Sequence, residues 1–132
     1  MAGRLFGTNG VRGVINKDMN VQLAMDLGKA IGTFMGGRVA IGNDSRTSAA
    51  MIKSAVASGL MCAGAQALDL GLVPTPVVQH YVKNNGLAGG IMITASHNPP
   101  EFNGIKCIDS DGTEMPRSKE EEIERLYFTR TF

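Results

Sequence analysis

Residues 90–99 read Gly-Ile-Met-Ile-Thr-Ala-Ser-His-Asn-Pro, and this stretch decides the fold of the chain. Its first four residues form a short apolar run that is typical of a buried strand. A polar turn follows, with a hydroxyl, an imidazole and a carboxamide on residues 96–98, and Pro99-Pro100 restrict the backbone beyond it. Because ligands bind at the carboxyl ends of strands in open α/β sheets, the stretch predicts a candidate site at a strand end.

Outward from this strand, segments with helical periodicity alternate with short apolar runs. Helices are predicted after Asn20 and Ser48, from Thr75, and from Ser118, where Glu121 completes a capping box. Strands are predicted over 39–41, 67–70, 90–93 and 104–108. Strands separated by helices are joined by right-handed crossovers, so we expect a three-layer α/β sandwich. Its mixed, mostly parallel four-stranded sheet has helices on both faces, and its last strand is expected to be antiparallel.

Composition excludes several functional classes. The 132 residues suit a single domain, 43% of them are hydrophobic, and the net charge is +1 with no basic run, which argues against nucleic-acid binding. No apolar run approaches the length of a membrane span. Cys62 and Cys107 fall in helix and strand patterns, as expected of reduced packing residues. The sequence thus predicts a cytoplasmic protein with no membrane or nucleic-acid partner.

Two interpretations of the polar turn stay open on the residues alone. Ser96 could be a nucleophile, with Lys106 pointing back at it from the next strand. Alternatively, the turn residues only satisfy local backbone groups and Lys106 points to solvent. Neighbouring strand residues face opposite ways, so the adjacency of Ser96 and His97 argues against a direct nucleophile–base bond. Spacing alone favours the second interpretation.

Three motifs in order change that balance. Residues 94–99, followed by Asn-Gly-Ile-Lys at 103–106, resemble the phosphoserine loop of the α-D-phosphohexomutases, the family of phosphoglucomutases, phosphomannomutases and phosphoglucosamine mutases. Phe-Gly-Thr-Asn-Gly-Val-Arg-Gly at 6–13 and Gly-Asn-Asp-Ser-Arg-Thr-Ser at 42–48 resemble two further family segments. The resemblance implies that residues 1–132 form a single α/β domain, the N-terminal phosphoserine-bearing domain of a larger four-domain enzyme.

The family's reaction would then be interconversion of hexose 6-phosphate and hexose 1-phosphate through a phosphoserine at Ser96. A hexose 1,6-bisphosphate would be both the intermediate and the activator. The resemblance implies one Mg²⁺, bound through a phosphate oxygen on Ser96 and by carboxylates of an aspartate-rich loop in the second domain. The short 109–112 segment lacks that loop's spacing and is predicted to be a turn. The isolated chain is therefore expected to be inactive, with the phosphosugar and the remaining domains as its partners.

The resemblance also assigns roles to individual residues. Lys106 matches the general base, Arg12 matches an arginine that holds the phosphoserine region and the phosphosugar, and His97 matches a histidine that hydrogen-bonds or shuttles a proton. For His97, a backbone-bonded turn histidine is the alternative. Further contacts with substrate or phosphate are expected from Asn9, Asn98, Asn103 and Arg46. For Arg46, an ion pair with Asp44 that orders the turn is equally open.

Two other functional classes remain as alternatives. One is a non-catalytic phosphoprotein or interaction module that kept the fold, although retention of both Ser96 and Lys106 argues against loss of the chemistry. The other is a serine hydrolase, which the absence of a Gly-x-Ser-x-Gly elbow disfavours.

Overall fold

The computed structural model describes residues 4–132, which form five strands and four helices. The strands are β1 (Val11–Val14), β2 (Arg38–Asn43), β3 (Gln66–Leu72), β4 (Gly89–Ile93) and β5 (Phe102–Ile108). The helices are α1 (Val21–Met35), α2 (Ala49–Cys62), α3 (Thr75–Asn84) and α4 (Arg117–Thr129). Within this described part of the chain, no helix combines the length and the apolar character needed to cross a bilayer.

The strands form one sheet in the order β1-β5-β4-β2-β3. Strand β2 pairs in parallel with β3 and β4, whereas β5 pairs antiparallel with β4 and β1, so the sheet is evenly mixed rather than mostly parallel. The predicted α/β class and the antiparallel strand after Ser96 are confirmed. The count of four strands was wrong because β1 is only four residues long, and its pairing with a strand some ninety residues away leaves no local pattern.

Helices cover both faces of the sheet, as the sequence predicts. Helices α1, α2 and α4 pack on one face, where Ile31, Val56 and Ile123 join the inward side chains of β4 and β5 in a buried cluster. Helix α3 covers the other face, where Val78 and Val82 form a smaller cluster. We call these the three-helix face and the α3 face. Most of the core therefore lies on the three-helix face.

The observed helix starts can be compared with the caps predicted from the sequence. The side chain of Asn20 caps α1 by accepting a bond of 2.8 Å from the Leu23 N–H, as predicted. Ser48 precedes α2 without capping it. Helix α4 begins at Arg117, directly after Pro116, so the capping box predicted at Ser118 is wrong. The N-cap is Pro116, two residues before the predicted cap, which places Ser118 inside the first turn.

Helices α1 and α2 cross at glycines. A Cβ atom on Gly59 would overlap the carbonyl oxygen of Met25, and one on Gly28 would overlap that of Val56. At this crossing backbone meets backbone, and only hydrogen atoms fit between the two helices. The crossing therefore holds α2 directly against α1.

A buried carboxylate anchors the first motif to α4. The side chain of Glu124 is 3% exposed, and its Oε2 accepts bonds of 2.7 Å from the Leu5 N–H and 2.8 Å from the Phe6 N–H. Arg117 donates to the other oxygen at 2.6 Å. Burial by itself raises the pKa of the Glu124 carboxyl, but the bonds from Arg117 and the two N–H groups outweigh it and lower that pKa.

We expect Glu124→Gln to destabilise residues 1–132 by about 2 kcal/mol at pH 7, because a charged acceptor of three donors is lost. The lowered pKa means that ionised Glu124 stabilises the folded state at neutral pH, and that this stabilisation disappears as pH falls through the folded-state pKa. Urea unfolding from pH 3 to 7 should thus show a deficit that shrinks in acid. Glu122→Gln, at an exposed partner of Arg125, is the control and should change little. An equal Glu124→Gln deficit at pH 3 and pH 7 would contradict the assignment.

Candidate functional site

The candidate site lies where two parallel strands end. Asp44 follows β2 and Ser96 follows β4, and the Asp44 N–H donates to the Ile93 carbonyl at 3.1 Å, so the two segments lie side by side. Strand β5 starts at Phe102 and runs back antiparallel to β4. The polar turn predicted from residues 90–99 therefore stands at the carboxyl edge of the parallel strands, with Ser96 and His97 exposed.

Ser96 has a left-handed backbone. Its φ angle is +51°, which among the non-glycine residues of the described part is shared in sign only by Asn16 and Arg130. An L-residue in this region costs roughly 1–2 kcal/mol, so surrounding contacts must hold it there. The Ser96 N–H donates to Thr94 Oγ1 at 3.0 Å, and that hydroxyl donates to Asp44 Oδ2 at 2.7 Å. These bonds fix the backbone while the Ser96 hydroxyl stays accessible.

Arg12 reaches the same hydroxyl from β1. Its Nη2 donates to Ser96 Oγ at 3.1 Å and its Nη1 donates to Asn98 Oδ1 at 2.7 Å. Arg12 lies opposite Gly104 in the β1–β5 register, and a Cβ at Gly104 would come within 2.8 Å of Arg12 Cγ, so glycine leaves room for the arginine. The Arg12 Nε is buried and has no hydrogen-bond partner among residues 4–132. The contacts of Arg12 with the serine turn thus pass through its two terminal nitrogens.

Lys106 shares a sheet face with Arg12. It lies two residues after Gly104 on β5, and side chains two residues apart on a strand point the same way. Its backbone direction therefore agrees with a shared cleft. Its Nζ, however, lies 2.5 Å from Glu114 Oε1 rather than on Ser96. The two side chains border a cavity of about 290 Å³ that also includes Gly7 and Thr8 of the first motif.

The side chain of Arg46 binds the main chain of the loop that follows Ser96. Its Nη1 donates to the carbonyls of Pro99 (2.7 Å) and Phe102 (3.0 Å), and its Nη2 donates to those of Ser96 (3.0 Å) and Asn98 (2.7 Å). Its Nε lies 3.3 Å from Asp44 Oδ2. The four terminal N–H groups of Arg46 are therefore bound to the loop, and contact of Arg46 with a phosphate stays a prediction. The alternative ion pair with Asp44 is present.

The structure places the three asparagines predicted to contact substrate in different surroundings. Asn103 is fully buried, donates to Ser48 Oγ at 2.9 Å and accepts from the Gly104 N–H at 2.8 Å. Its contact with substrate stays a prediction. Asn98 sits beside Ser96 through Arg12. Asn9 is exposed in the turn closed by a bond from the Gly7 N–H to the Gly10 carbonyl. Contact of Asn9 with substrate stays a prediction, as does the role of His97.

Sequence reasoning missed Thr94 and the hydroxyls next to Ser96. A cavity of about 360 Å³ beside the serine is bordered by Ser45, Thr47 and Asn98. The signal that could have identified these residues is the polar segment 42–48 at the end of a predicted strand. Only Asp44 and Arg46 of that segment were predicted to lie near the site.

Residues 3–132 match the family model described as phosphoglucomutase/phosphomannomutase, alpha/beta/alpha domain I. The chain belongs to this family. The resemblance on which the sequence analysis relied is confirmed, and so is the α/β/α architecture.

Relatives within the phosphohexomutase family carry several sugar names. A phosphoglucosamine/phosphogalactosamine mutase of Sulfurisphaera tokodaii is 48% identical, over 98% of this chain and 29% of its own length. A phosphoglucomutase/phosphomannomutase of Thermococcus kodakarensis is 41% identical, over 98% of this chain and 30% of its own length. A solved structure of a candidate phosphomannomutase from Thermus thermophilus has a TM-score of 0.87 at 34% identity, covering 96% of this chain and 30% of that one. The chain thus spans about three tenths of the relatives it matches.

The described residues do not fit the family's magnesium ion by themselves. Residues 4–132 contain no group of three or more His, Cys, Asp or Glu side chains that could hold a metal. Asp44, the carboxylate bonded closest to the serine turn, is already occupied by Thr94 and Arg46. The 109–112 segment is a turn, as predicted, in which Asp109 pairs with Lys119. Residues 4–132 therefore offer a metal no complete ligand set of their own.

Proposed function

We propose that the full-length protein containing this chain is a phosphohexomutase, which interconverts hexose 6-phosphate and hexose 1-phosphate through a phosphoserine at Ser96. The observation that carries the proposal is the pairing of an exposed, left-handed Ser96 hydroxyl with the Arg12 guanidinium at 3.1 Å. A positively charged partner suits a residue that alternately carries a hydroxyl and a phosphate. Membership of the family supports the same reaction.

The reaction proceeds in two transfers. In the first, the bond between phosphorus and Ser96 Oγ breaks as a free sugar hydroxyl bonds to the phosphorus, giving a hexose 1,6-bisphosphate. Lys106 is the general base that takes the proton from that sugar hydroxyl. After the bisphosphate reorients, Ser96 Oγ attacks the phosphorus of its other phosphate and the bond from that phosphorus to the sugar oxygen breaks. The sugar oxygen takes the proton back from Lys106, which gives the product. Phosphoryl transfer depends on charge stabilisation and positioning. Arg12 and His97 supply part of the charge stabilisation.

The substrate class is a hexose phosphate. The relatives named above carry glucosamine, galactosamine, glucose and mannose in their names, so phosphates of these sugars are the substrates to test first. We propose Mg²⁺ as the cofactor and a hexose 1,6-bisphosphate as the activator. The Ser96 phosphate would contribute one oxygen ligand, and the other ligands would come from the rest of the parent chain.

The test compares the full-length protein with residues 1–132 alone. Given hexose 6-phosphates, the bisphosphate and Mg²⁺, the full-length protein should form hexose 1-phosphates. Residues 1–132 should show no detectable turnover, because they span 29% of a relative's length, yet they should unfold in one cooperative thermal transition. Robust turnover by residues 1–132 would contradict the proposal that the rest of the parent chain is needed for activity. A folded full-length protein with no turnover on any of these sugars would instead favour the non-catalytic module.

A further inference from the structure

The guanidinium of Arg46 is inserted into the backbone of the serine loop. Its four terminal N–H groups donate to four carbonyl oxygens within seven residues, at distances from 2.7 to 3.0 Å. The side chain is 11% exposed, so these bonds form largely out of water. A surface arginine that merely balances charge would not be buried against main-chain acceptors in this way.

Ser96 is fixed on both sides of its Cα atom. Arg46 Nη2 binds its carbonyl at 3.0 Å, and Thr94 Oγ1 accepts its N–H at 3.0 Å. Both Thr94 and Arg46 also contact Asp44. The Asp44 Oδ2 atom accepts a hydrogen bond from Thr94 at 2.7 Å and lies 3.3 Å from Arg46 Nε. Asp44, Arg46 and Thr94 thus form one continuous network around Ser96.

We propose that Arg46, supported by Asp44 and Thr94, is the positioning residue that holds Ser96 in its left-handed conformation and so aims its hydroxyl at the substrate. This inference rests on the proposed function. A non-glycine residue stays in this backbone region only where its surroundings over-determine it, and the network supplies that constraint. Arg46 touches no reacting atom, because its terminal donors are all bound to the loop. Its effect on catalysis passes through the geometry of Ser96.

Arginine is required because of its shape. Its planar guanidinium holds four terminal N–H groups in one plane at fixed angles, and these reach four carbonyls arranged around one loop. A lysine ammonium keeps the charge and an attraction to Asp44, but its three N–H groups diverge from a single nitrogen. Lysine therefore cannot replace the four main-chain bonds, and Arg46→Lys should behave like a loss rather than a conservative change.

The test uses the full-length protein with two pairs of variants. We expect Arg46→Gln and Arg46→Lys each to lower kcat about 100-fold with KM within about threefold, since an error of about 1 Å in positioning costs that much. Thr94→Val should lower kcat in the same way, whereas Thr94→Ser keeps the hydroxyl and should retain most of the activity. Arg125→Gln, on an exposed arginine of α4, is the control and should leave kcat unchanged.

A second readout follows the loop directly. Hydrogen–deuterium exchange of peptides covering 94–102 should speed up about tenfold or more in Arg46→Gln and Thr94→Val, while peptides of α1 and α2 exchange as before. An unchanged kcat in Arg46→Gln, a rise in KM alone, or equal losses in Thr94→Ser and Thr94→Val would overturn the proposal. If the parent protein turns over no hexose phosphate, the proposed function fails by itself, and the exchange rates over 94–102 still decide whether Arg46 holds the loop.

Discussion

Replacing Ser96 with alanine in the full-length protein is expected to reduce mutase turnover by about four orders of magnitude or more. Every phosphoryl group in the proposed cycle passes through Ser96 Oγ, and no other side chain replaces it. The fold should be nearly unchanged, because the lost hydroxyl is exposed and the bond from the residue 96 N–H to Thr94 Oγ1 remains possible. Steady-state kinetics and a thermal melt on the same preparation measure the two effects.

The matched control for this variant is Ser110→Ala. Ser110 is exposed in the 109–112 turn, and only its backbone N–H takes part in a bond there. It should keep full turnover. Phosphate transferred from a labelled hexose bisphosphate should be found on Ser96 of the parent. A Ser96→Ala protein with normal turnover, or a label mapped to Ser45 or Ser48, would remove Ser96 from the mechanism.

Gly59→Ala is expected to destabilise residues 1–132 by about 3 kcal/mol, the upper part of the range for overpacked sites. Helix propensity predicts the opposite sign, because alanine in a helix is favoured over glycine by roughly 1 kcal/mol. At this position the new methyl group would overlap the carbonyl oxygen of Met25, and backbone in a neighbouring helix cannot move aside as a flexible side chain does. The two helices would have to separate. Urea unfolding followed by circular dichroism gives the sign and the size.

Gly7→Ala is the control for the glycine substitution. The nearest atom to a Cβ on Gly7 is the Gly10 carbonyl oxygen at 3.7 Å, an ordinary van der Waals distance. Its stability should therefore match that of the parent. A Gly59→Ala protein as stable as the parent, or more stable, would show that the crossing of α1 and α2 relaxes without cost.

Local signals predicted the elements whose causes are local. The Asn20 cap and the apolar run before Ser96 each depend on a few adjacent residues, and both were predicted correctly. Strand β1 depends on pairing with β5, which no short window of sequence contains. The Ser118 signal failed because the helix begins at Arg117, so Ser118 lies inside the first turn rather than before it.

The site was predictable where side chains meet side chains. The resemblance brought Arg12, Asn98 and Ser96 together, and the structure joins all three by hydrogen bonds. The bonds of Arg46 escaped prediction because its partners are main-chain carbonyls, which every residue carries and no sequence pattern marks. The burial of Asn103 escaped prediction as well, since its bond to Ser48 joins two segments 55 residues apart.

Because β1 pairs with β5, the direction of the Arg12 side chain depends on the number of residues before it in the first motif. Arg12 stands opposite Gly104, and side chains alternate between the two faces along a strand. Removing one residue between the turn at 7–10 and Arg12 would reverse the parity of β1 and turn the arginine toward the three-helix face. Because Val11 is buried in the core, another apolar side chain is expected to replace it, whereas its deletion is expected to misplace Arg12. In β1, the number of residues before Arg12 therefore matters more than the identity of their side chains.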